Sequence, residues 1–585
     1  MRAMLIALLA CFFSFAAYGL PNEVSYLIEA ELLPLQNVVV GNEILSFTNH
    51  SGQALSDLYF HIYPNAFRRG SNSQYQQDLT NVAKISNINS IYADPADDAF
   101  MEIRSIASGG QPLIHSINDT LLTVNLAEPL PDGETIEIEI SFVNNLMEAT
   151  EFDRMAFNRA IRSAHRNGVY TIALWHPRLA VLDSEGWHLE PYRFVGEFYG
   201  DFGSYDVQIA VPGDFEVGAT GELALEILEP NRKIVRYRAD NVHDFSWVAS
   251  RNYFVEERIW RGVTVRSLNL EPEDAIILDQ VIDALEFYSD EFGEYAYSTF
   301  TVANVTTGGG MEYPSIVLIG NGTVQEVVHE VAHQWWYAAI GNNQYEEAWL
   351  DEGFTTFAEE RYLIEENGEN EIATRSSFRF REPREIILQP ASEYPSLSNY
   401  ALSVYSKGSG VLWMLRSFLG HDQFDALLRD YYFRFKFQNV TAQDFIQFVN
   451  EYTGQNLDWF FDQWLKTTKS LDFVLEDVRS TTSSAGNIAH TIVVRRDGDA
   501  VMPVSIVVQD ADGLEPRIID WDTAEQRAEF HIEGISGIAE VVIDPQRVVL
   551  EQNRNNNTWT PLGMVALLII VGMPTLIRIR LWRRL

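Results

Sequence analysis

Two histidines four residues apart, His329 and His333, stand in the stretch TVQEVVHEVAHQWWYAAIG (residues 323–341), with Glu330 directly after the first. On a helix, residues at this spacing lie one turn apart on one face, where both imidazoles can reach a single cation. A carboxylate offset along that face is placed to take a proton from water that the cation polarises. At about 100° per residue, Glu326, His329, Glu330, His333 and Tyr337 share one side of the helix. Val324, Val327, Val328, Val331, Trp335 and Ala339 share the other. Thr323 is the expected cap, Glu326 its reciprocal partner and Gly341 the expected stop. Alone, this pattern also suits an ordinary amphipathic helix with a polar stripe. A zinc site needs a third protein ligand and a fourth position open to water. After eighteen intervening residues, Glu352 in AWLDEGFTTFAEE begins a second helix, a spacing that returns a carboxylate beside the histidines. Asp351 is the neighbouring alternative, on another side of that helix.

The elements that must hold these residues change character along the chain. Residues 20–268 alternate with period two: ETIEIEISFV carries Ile136, Ile138 and Ile140 just after the turn signal PDGE, and YDVQIAVPGDF and KIVRYRAD behave alike. This predicts an all-β domain. In EPEDAIILDQVIDALEFYSDEFG the apolar residues Ile277, Val281, Ala284, Leu285 and Tyr288 fall at helical spacing, with Pro272 near the start. One short strand-like run, STFTVANV, precedes a glycine cluster, and helices dominate the remainder of residues 269–470. Alternation returns over residues 471–550 in HTIVVRR, MPVSIVVQD and IAEVVID, enough for a small β-sandwich. The fold class expected is multidomain α+β.

The net charge of −40, from 82 acidic and 42 basic residues, excludes nucleic acid as a partner, since its phosphates would be repelled. It suits a protein kept soluble by self-repulsion, with a weak attraction for cationic ligands. Residues 1–19, MRAMLIALLACFFSFAAYG, read as a secretory signal, with an N-terminal membrane anchor as the alternative. The single cysteine, Cys11, sits after LLA in a weak likeness to a lipoprotein box. Cleavage after Gly19 leaves no cysteine, hence neither a disulfide nor a cysteine nucleophile. EQNRNNNTWT (551–560) reads as a polar linker and the uncharged run 561–577 as a transmembrane helix. Arg578, Arg580, Arg583 and Arg584 make a basic tail (578–585) expected in the cytoplasm. The catalytic domains are then expected outside the cytoplasm, in a periplasm or on a cell surface.

Four ordered motifs carry a family resemblance. H-E-x-x-H, eighteen residues, then E within WLDEG resembles the gluzincin zinc metallopeptidases of the aminopeptidase N and leukotriene hydrolase family. GGMEY, Gly309 to Tyr313, is similar to the family's G-x-M-E-N signature, and VYSKG with Tyr405 to its tyrosine motif. WFFDQWL near Trp459 resembles the end of its catalytic domain. The resemblance implies a thermolysin-like, mainly helical catalytic domain and release of N-terminal residues from peptides with a free amino terminus. It implies one Zn²⁺ held by His329, His333 and Glu352, with Glu330 as general base and Tyr405 as donor to the oxyanion. Glu312 holds the substrate's ammonium, while Gly309, Gly310, Met311 and Tyr313 line the peptide. Glu359, seven residues beyond Glu352, is expected to orient a ligand histidine, and Tyr400 to line the site. The rivals are a zinc peptidase of another cleavage mode and a non-catalytic surface binding protein on the same scaffold. Three departures stand out. Tyr313 replaces an asparagine, and no second amine-binding Gln or Glu can be placed near ALWHPRLAVLDSEGWHLEPY. The C-terminal helical domain of aminopeptidase N has no counterpart, which implies a more open site.

Overall fold

The computed structural model describes residues 23–68, 73–78, 99–149, 162–271, 276–306, 308–376, 385–482, 484 and 488–561. The expected leader (1–19), basic tail (578–585) and all but the first residue of the expected spanning run (561–577) lie outside the described residues. Among the described residues no helix is long and apolar enough to cross a membrane. The chain divides into two compact units. One comprises residues up to Phe194, Tyr199–Leu278 and Tyr297–Gly322; the other comprises Val195–Phe198, Asp279–Ala296 and residues from Thr323 onward.

The first unit is β-rich. Its largest sheet has eight strands in the order Glu222–Leu228, Arg232–Val242, Gly203–Pro212, Glu23–Leu33, Val38–Thr48, Thr135–Asn145, Phe100–Ser108 and Gln111–Pro112. Glu23–Leu33 runs antiparallel to Val38–Thr48 along its whole length, Glu23 opposite Thr48 and Leu33 opposite Val38. Successive side chains of a strand point to opposite faces. Accordingly Ile138, Ile140 and Phe142 are buried while Glu137 and Glu139 are exposed. The domain boundary differs from the expected residue 268. Phe254–Trp260 and Val263–Asn269 share one sheet with Thr299–Asn304 and Ile316–Ile319, and all four strands belong to this unit. Alternation marks a strand without telling which sheet it joins, and Ile316–Ile319, buried at every position, has no alternation to reveal it.

The second unit holds most of the described helices. We name those that matter here α1 (Ile276–Phe292), α2 (Val324–Trp336) and α3 (Trp349–Glu365). Then come α4 (Glu371–Ser376), α5 (Leu397–Ala401), a π-helical turn (Leu402–Lys407), α6 (Gly408–Leu419) and α7 (His421–Phe435). Last are α8 (Ala442–Thr453) and α9 (Asp458–Leu465). Two small sheets follow, one of three strands from Asp472 to Glu533 and one of four that includes Val504–Asp510 and Ile538–Ile543. Their cores meet where Phe473 of one packs on Trp521 of the other, ring centroids 5.8 Å apart. Gln463 of α9 ties these sheets to the helices: its amide donates to Val501 O at 2.6 Å and its oxygen accepts from Val501 N at 2.9 Å.

Residues 551–560, expected as a linker, are instead folded against these sheets. Trp559 pairs opposite Val541. The Glu551 carboxylate accepts from Phe473 N at 3.1 Å and Asn557 Nδ2 at 2.5 Å, and Arg554 sits 2.8 Å from it. The polar composition that suggested a solvated linker serves a buried network. Burial pushes the Glu551 carboxyl up to about 7, although Arg554 pulls it down. An acid raised in the folded state keeps a proton that the unfolded chain has lost. Its contribution to stability is therefore full below about pH 4.3, the unfolded value, and is lost as pH rises through about 7. Between pH 5 and 8, the melting temperature of the wild type should fall more steeply than that of Glu551→Gln. The slope difference is bounded at about 1.4 kcal/mol per pH unit, and parallel slopes would contradict the assignment.

Candidate metal centre and active site

Helix α2 begins at Thr323, whose hydroxyl accepts from Glu326 N at 3.2 Å as its cap. Val327, Val328, Val331 and Trp335 are fully buried. Trp335 donates from Nε1 to Gly293 O at 2.8 Å and packs edge-on against Tyr288 of α1, whose hydroxyl donates to Val328 O at 3.0 Å. Fully burying a large apolar side chain contributes about 1.5–3 kcal/mol, so this face fixes the rotation of α2. The helix ends at Trp336 with Tyr337 as its cap, earlier than the expected Gly341. Gly341 lies within the strand Ile340–Asn342, which pairs in parallel with Gln438–Val440. That partner lies about a hundred residues further along the chain, so local pattern could not show it.

The fixed rotation brings three donor atoms together. His329 Nε2 and His333 Nε2 are 3.2 Å apart, and Glu352 Oε2 lies 3.3 Å from the first and 3.4 Å from the second. Zinc binds nitrogen and oxygen at about 2.0–2.1 Å, so two donors of a tetrahedral site stand about 3.3–3.4 Å apart. The three separations match the edges of that tetrahedron. The proton positions agree. His329 Nδ1 lies 2.8 Å from Glu359 Oε2 and His333 Nδ1 lies 2.5 Å from Asp351 Oδ1. A carboxylate only accepts, so each Nδ1 can donate to its carboxylate, an arrangement in which each Nε2 can offer a lone pair to a cation at the shared centre. Glu352 Oε2 is buried with no hydrogen-bond partner among the described residues. Burial would raise the Glu352 carboxyl, but His333 and His329 outweigh it and hold it down at about 2. The donor set therefore fits a divalent cation, and its nitrogen and carboxylate chemistry fits zinc.

Around these three donors the second unit places further groups. Glu359 also accepts from Gln325 Nε2 at 2.6 Å. Glu330 is buried, and its Oε2 has no hydrogen-bond partner among the described residues. Burial pushes its carboxyl up to about 8 while both imidazoles pull it down. The Tyr405 hydroxyl donates to Glu352 Oε1 at 2.5 Å, and its ring lies parallel to His329 with centroids 6.0 Å apart. Burial and the Glu352 charge push this hydroxyl well above its ordinary value, so it stays a donor. Tyr400 packs edge-on against Tyr405 at 6.3 Å.

The roles of four groups here were not identified from sequence. Asp351 was set aside as a ligand because it faces away from Glu352, yet that direction meets the protonated nitrogen of His333. Thr355 Oγ1 lies 3.0 Å from the same nitrogen, and Gln344 Nε2 donates to Asp351 Oδ2 at 2.5 Å. The fourth is Glu197. Val195–Phe198 belongs to this unit, and Phe198 N donates to Gln344 Oε1 at 3.3 Å. Gly196 has φ +96°, and a Cβ there would meet the Ala391 Cβ at 2.6 Å, so only glycine lets this segment sit so close. Its neighbour Glu197 brings a carboxylate oxygen within 4.8 Å of one of Glu352. The Glu197 charge also contributes to raising the Tyr400 and Tyr405 hydroxyls. The only signal in the sequence was the glycine itself.

Gly309–Tyr313 belongs to the β-rich unit. Gly309 turns the chain at φ +88°, and Met311 then pairs antiparallel with Leu318. The Tyr313 hydroxyl accepts from Arg162 Nη1 at 2.8 Å, and the same nitrogen reaches Met311 Sδ at 2.7 Å. Tyr313, in place of asparagine, is thus a core residue whose ring and hydroxyl hold a buried guanidinium. Glu312 is buried between these two anchored neighbours.

The orienting carboxylate gives a direct test. Glu359→Gln should weaken zinc binding by about 10–100-fold in competition with a chelator. Unchanged affinity would remove Glu359 from the centre.

Residues 277–464 match the family model described as Peptidase family M1 domain. Over 189 residues the chain is 31% identical to aminopeptidase RNPEPL1 of Mus musculus, covering 27% of this chain and 26% of that protein. Over 210 residues it is 27% identical to aminopeptidase B of Homo sapiens, covering 30% and 32%. The chain thus spans about a quarter to a third of the curated relatives it matches. Among solved structures, an M1 zinc metallopeptidase from Deinococcus radiodurans aligns at TM-score 0.57 and 16% identity, over 77% of this chain and 95% of that one. Legionella pneumophila aminopeptidase A in complex with aspartic acid aligns at TM-score 0.63 and 16% identity, over 88% and 57%. This likeness shows the fold: a β-rich N-terminal part followed by a helical part.

Proposed function

We propose that this chain, which carries a peptidase family M1 domain of the gluzincin, aminopeptidase N type, is a zinc aminopeptidase releasing N-terminal residues from peptides. The observation that carries the reading is the triangle of His329 Nε2, His333 Nε2 and Glu352 Oε2, with edges of 3.2, 3.3 and 3.4 Å. These three residues would hold the ion. When bound, zinc supplies a Lewis acid that polarises a carbonyl and makes water a nucleophile near neutral pH.

The chain's own residues divide the remaining work. Glu330, buried on the same helix face, takes the proton from water and returns it to the leaving amine. Tyr405 offers its hydroxyl to the oxygen that gains charge as the peptide carbonyl is attacked. Asp351 and Glu359 keep the two imidazoles in the tautomer that points Nε2 at the centre. By resemblance, Glu312 takes the substrate's α-ammonium. Glu197 is proposed as the second amine-binding carboxylate that the sequence did not reveal, supported by its closeness to Glu352. An anionic group suits a cationic amino terminus.

Comparing a peptide with its N-acetylated form tests this reading. Loss of hydrolysis by about 10²-fold or more on acetylation is expected, since a charged group recognised by buried carboxylates is removed. Equal rates would leave a zinc peptidase of another cleavage mode. Export and anchoring by residues 561–577 remain part of the proposal, supported by the uncharged run followed by arginines. Full-length protein should resist alkaline extraction from membranes, whereas chain ending at residue 560 should be released; release of both would remove the anchor.

A further inference from the structure

Two glycines lie inside regular helix, where glycine costs about 1 kcal/mol relative to alanine. Gly353 follows Glu352 in the first turns of α3, and Gly408 opens α6 with an ordinary helical φ of −55° and ψ of −54°. Neither position needs a left-handed conformation, so backbone freedom does not explain them. Their surroundings do. A Cβ on Gly353 would meet Val404 O at 3.1 Å and Gly408 Cα at 3.2 Å, and one on Gly408 would meet Gly353 Cα at 3.1 Å. These neighbours are backbone atoms, which cannot swing aside as a side-chain tip can. The two helices therefore touch main chain to main chain at this point.

The crossing sits between the two ends of one hydrogen bond. Glu352 is the residue before Gly353, and Tyr405 lies three residues before Gly408, on the π-helical turn whose Val404 carbonyl faces Gly353. A π turn inserts an extra residue into a helix and so re-aims the side chains on it. At 2.5 Å, the Tyr405–Glu352 contact has no slack for a further approach and is lengthened by any parting of the helices.

We propose that Gly353 and Gly408 are positioning residues: their contact sets how far the π turn stands from α3, and thereby where the Tyr405 hydroxyl lies relative to the Glu352 carboxylate and the reacting carbonyl. The inference rests on the aminopeptidase reading for its kinetic consequence but not for its geometry. A methyl group at either glycine forces the helices apart by a few tenths of an ångström. A hydroxyl that must meet a developing oxyanion does not tolerate such a shift.

The test is a set of alanine variants measured with and without Tyr405→Phe. Gly408→Ala and Gly353→Ala should each lower kcat on an aminoacyl-anilide by roughly 10-fold, with KM and zinc content unchanged. In the Tyr405→Phe background the same substitutions should add nothing, because the group they displace is already gone. Gly410→Ala is the control. The three atoms nearest its Cβ all belong to the Leu550 side chain, the first 2.8 Å away, so kcat should hold even if the melting temperature drops. A crystal structure of Gly408→Ala should show the distance from the Tyr405 hydroxyl to Glu352 lengthened from 2.5 Å by a few tenths of an ångström. Wild-type kcat in both glycine variants, or the same loss in both tyrosine backgrounds, would overturn the proposal. So would an unmoved Tyr405 in the crystal. If one variant fails to fold, the other carries the same comparison. Should the wild type hydrolyse no anilide or peptide at all, the functional reading fails, and the crystallographic distance still decides the placement.

Discussion

Glu330→Gln should leave a folded, zinc-loaded protein whose kcat is lower by about 10²–10⁴-fold, the range for removal of a general acid–base group. The substitution keeps shape and removes only the ability to carry a proton. Glu330 is not among the three converging donors, so zinc content should be unchanged; KM should move little because no substrate anchor is lost. Two opposing influences fix its behaviour. Burial pushes its carboxyl up to about 8, and the imidazoles of His329 and His333 pull it down. A bound dication adds to the second influence, so the base is ionised over a wider range with metal than without. Near-normal turnover in Glu330→Gln would overturn the proton-transfer assignment.

His333→Ala should abolish stoichiometric zinc after dialysis and bring hydrolysis to background. Two donors remain where three converged, and zinc in protein sites takes at least three protein ligands. The effect reaches beyond the metal. The His333 side chain is buried and holds Asp351, which in turn receives Gln344. Removing the ring leaves a fully buried carboxylate short of its principal partner, a loss of about 1–3 kcal/mol. A drop in melting temperature should therefore accompany zinc loss even when wild type and variant are compared metal-free. Retention of one zinc per chain in His333→Ala would contradict the ligand set.

What the sequence revealed about this centre followed from chemistry that depends on short spacings. An i, i+4 histidine pair and a carboxylate one helix and one loop later predict convergence, because helices have few ways of returning a residue to the same point. Glu359, two turns beyond Glu352, was visible for the same reason. Asp351 was legible as a residue but not as a partner. Asking which side chains face the ion overlooks those that must face away from it to hold the rings. Glu197 was beyond such reasoning, because its place depends on Gly196 letting a segment from the β-rich half of the sequence join the helical unit. The π turn was invisible as well: Ser406–Gly410, SKGSG, offers no apolar residue from which a period could be read, and the extra residue shows only in the backbone.

The fold followed a similar division. Alternation marked the strands of the large sheet, and helical spacing marked α1 and α2. The end of α2 was misplaced because Gly341 resembles a stop signal, while its actual surroundings, a strand paired with Gln438–Val440, depend on residues far along the chain. Residues 551–560 were read as a linker from their polar, asparagine-rich composition. Composition could not anticipate that Glu551, Arg554 and Asn557 would satisfy one another against the sheets.

Zinc titration of metal-free protein tests the central claim most directly. Protein stripped by a chelator is given zinc in fractions of an equivalent while hydrolysis of an aminoacyl-anilide is followed. One site built by His329, His333 and Glu352 predicts no activity at the start and a linear rise that stops at one zinc per chain. Full activity in the metal-free protein, or a rise that continues to two equivalents, would contradict it.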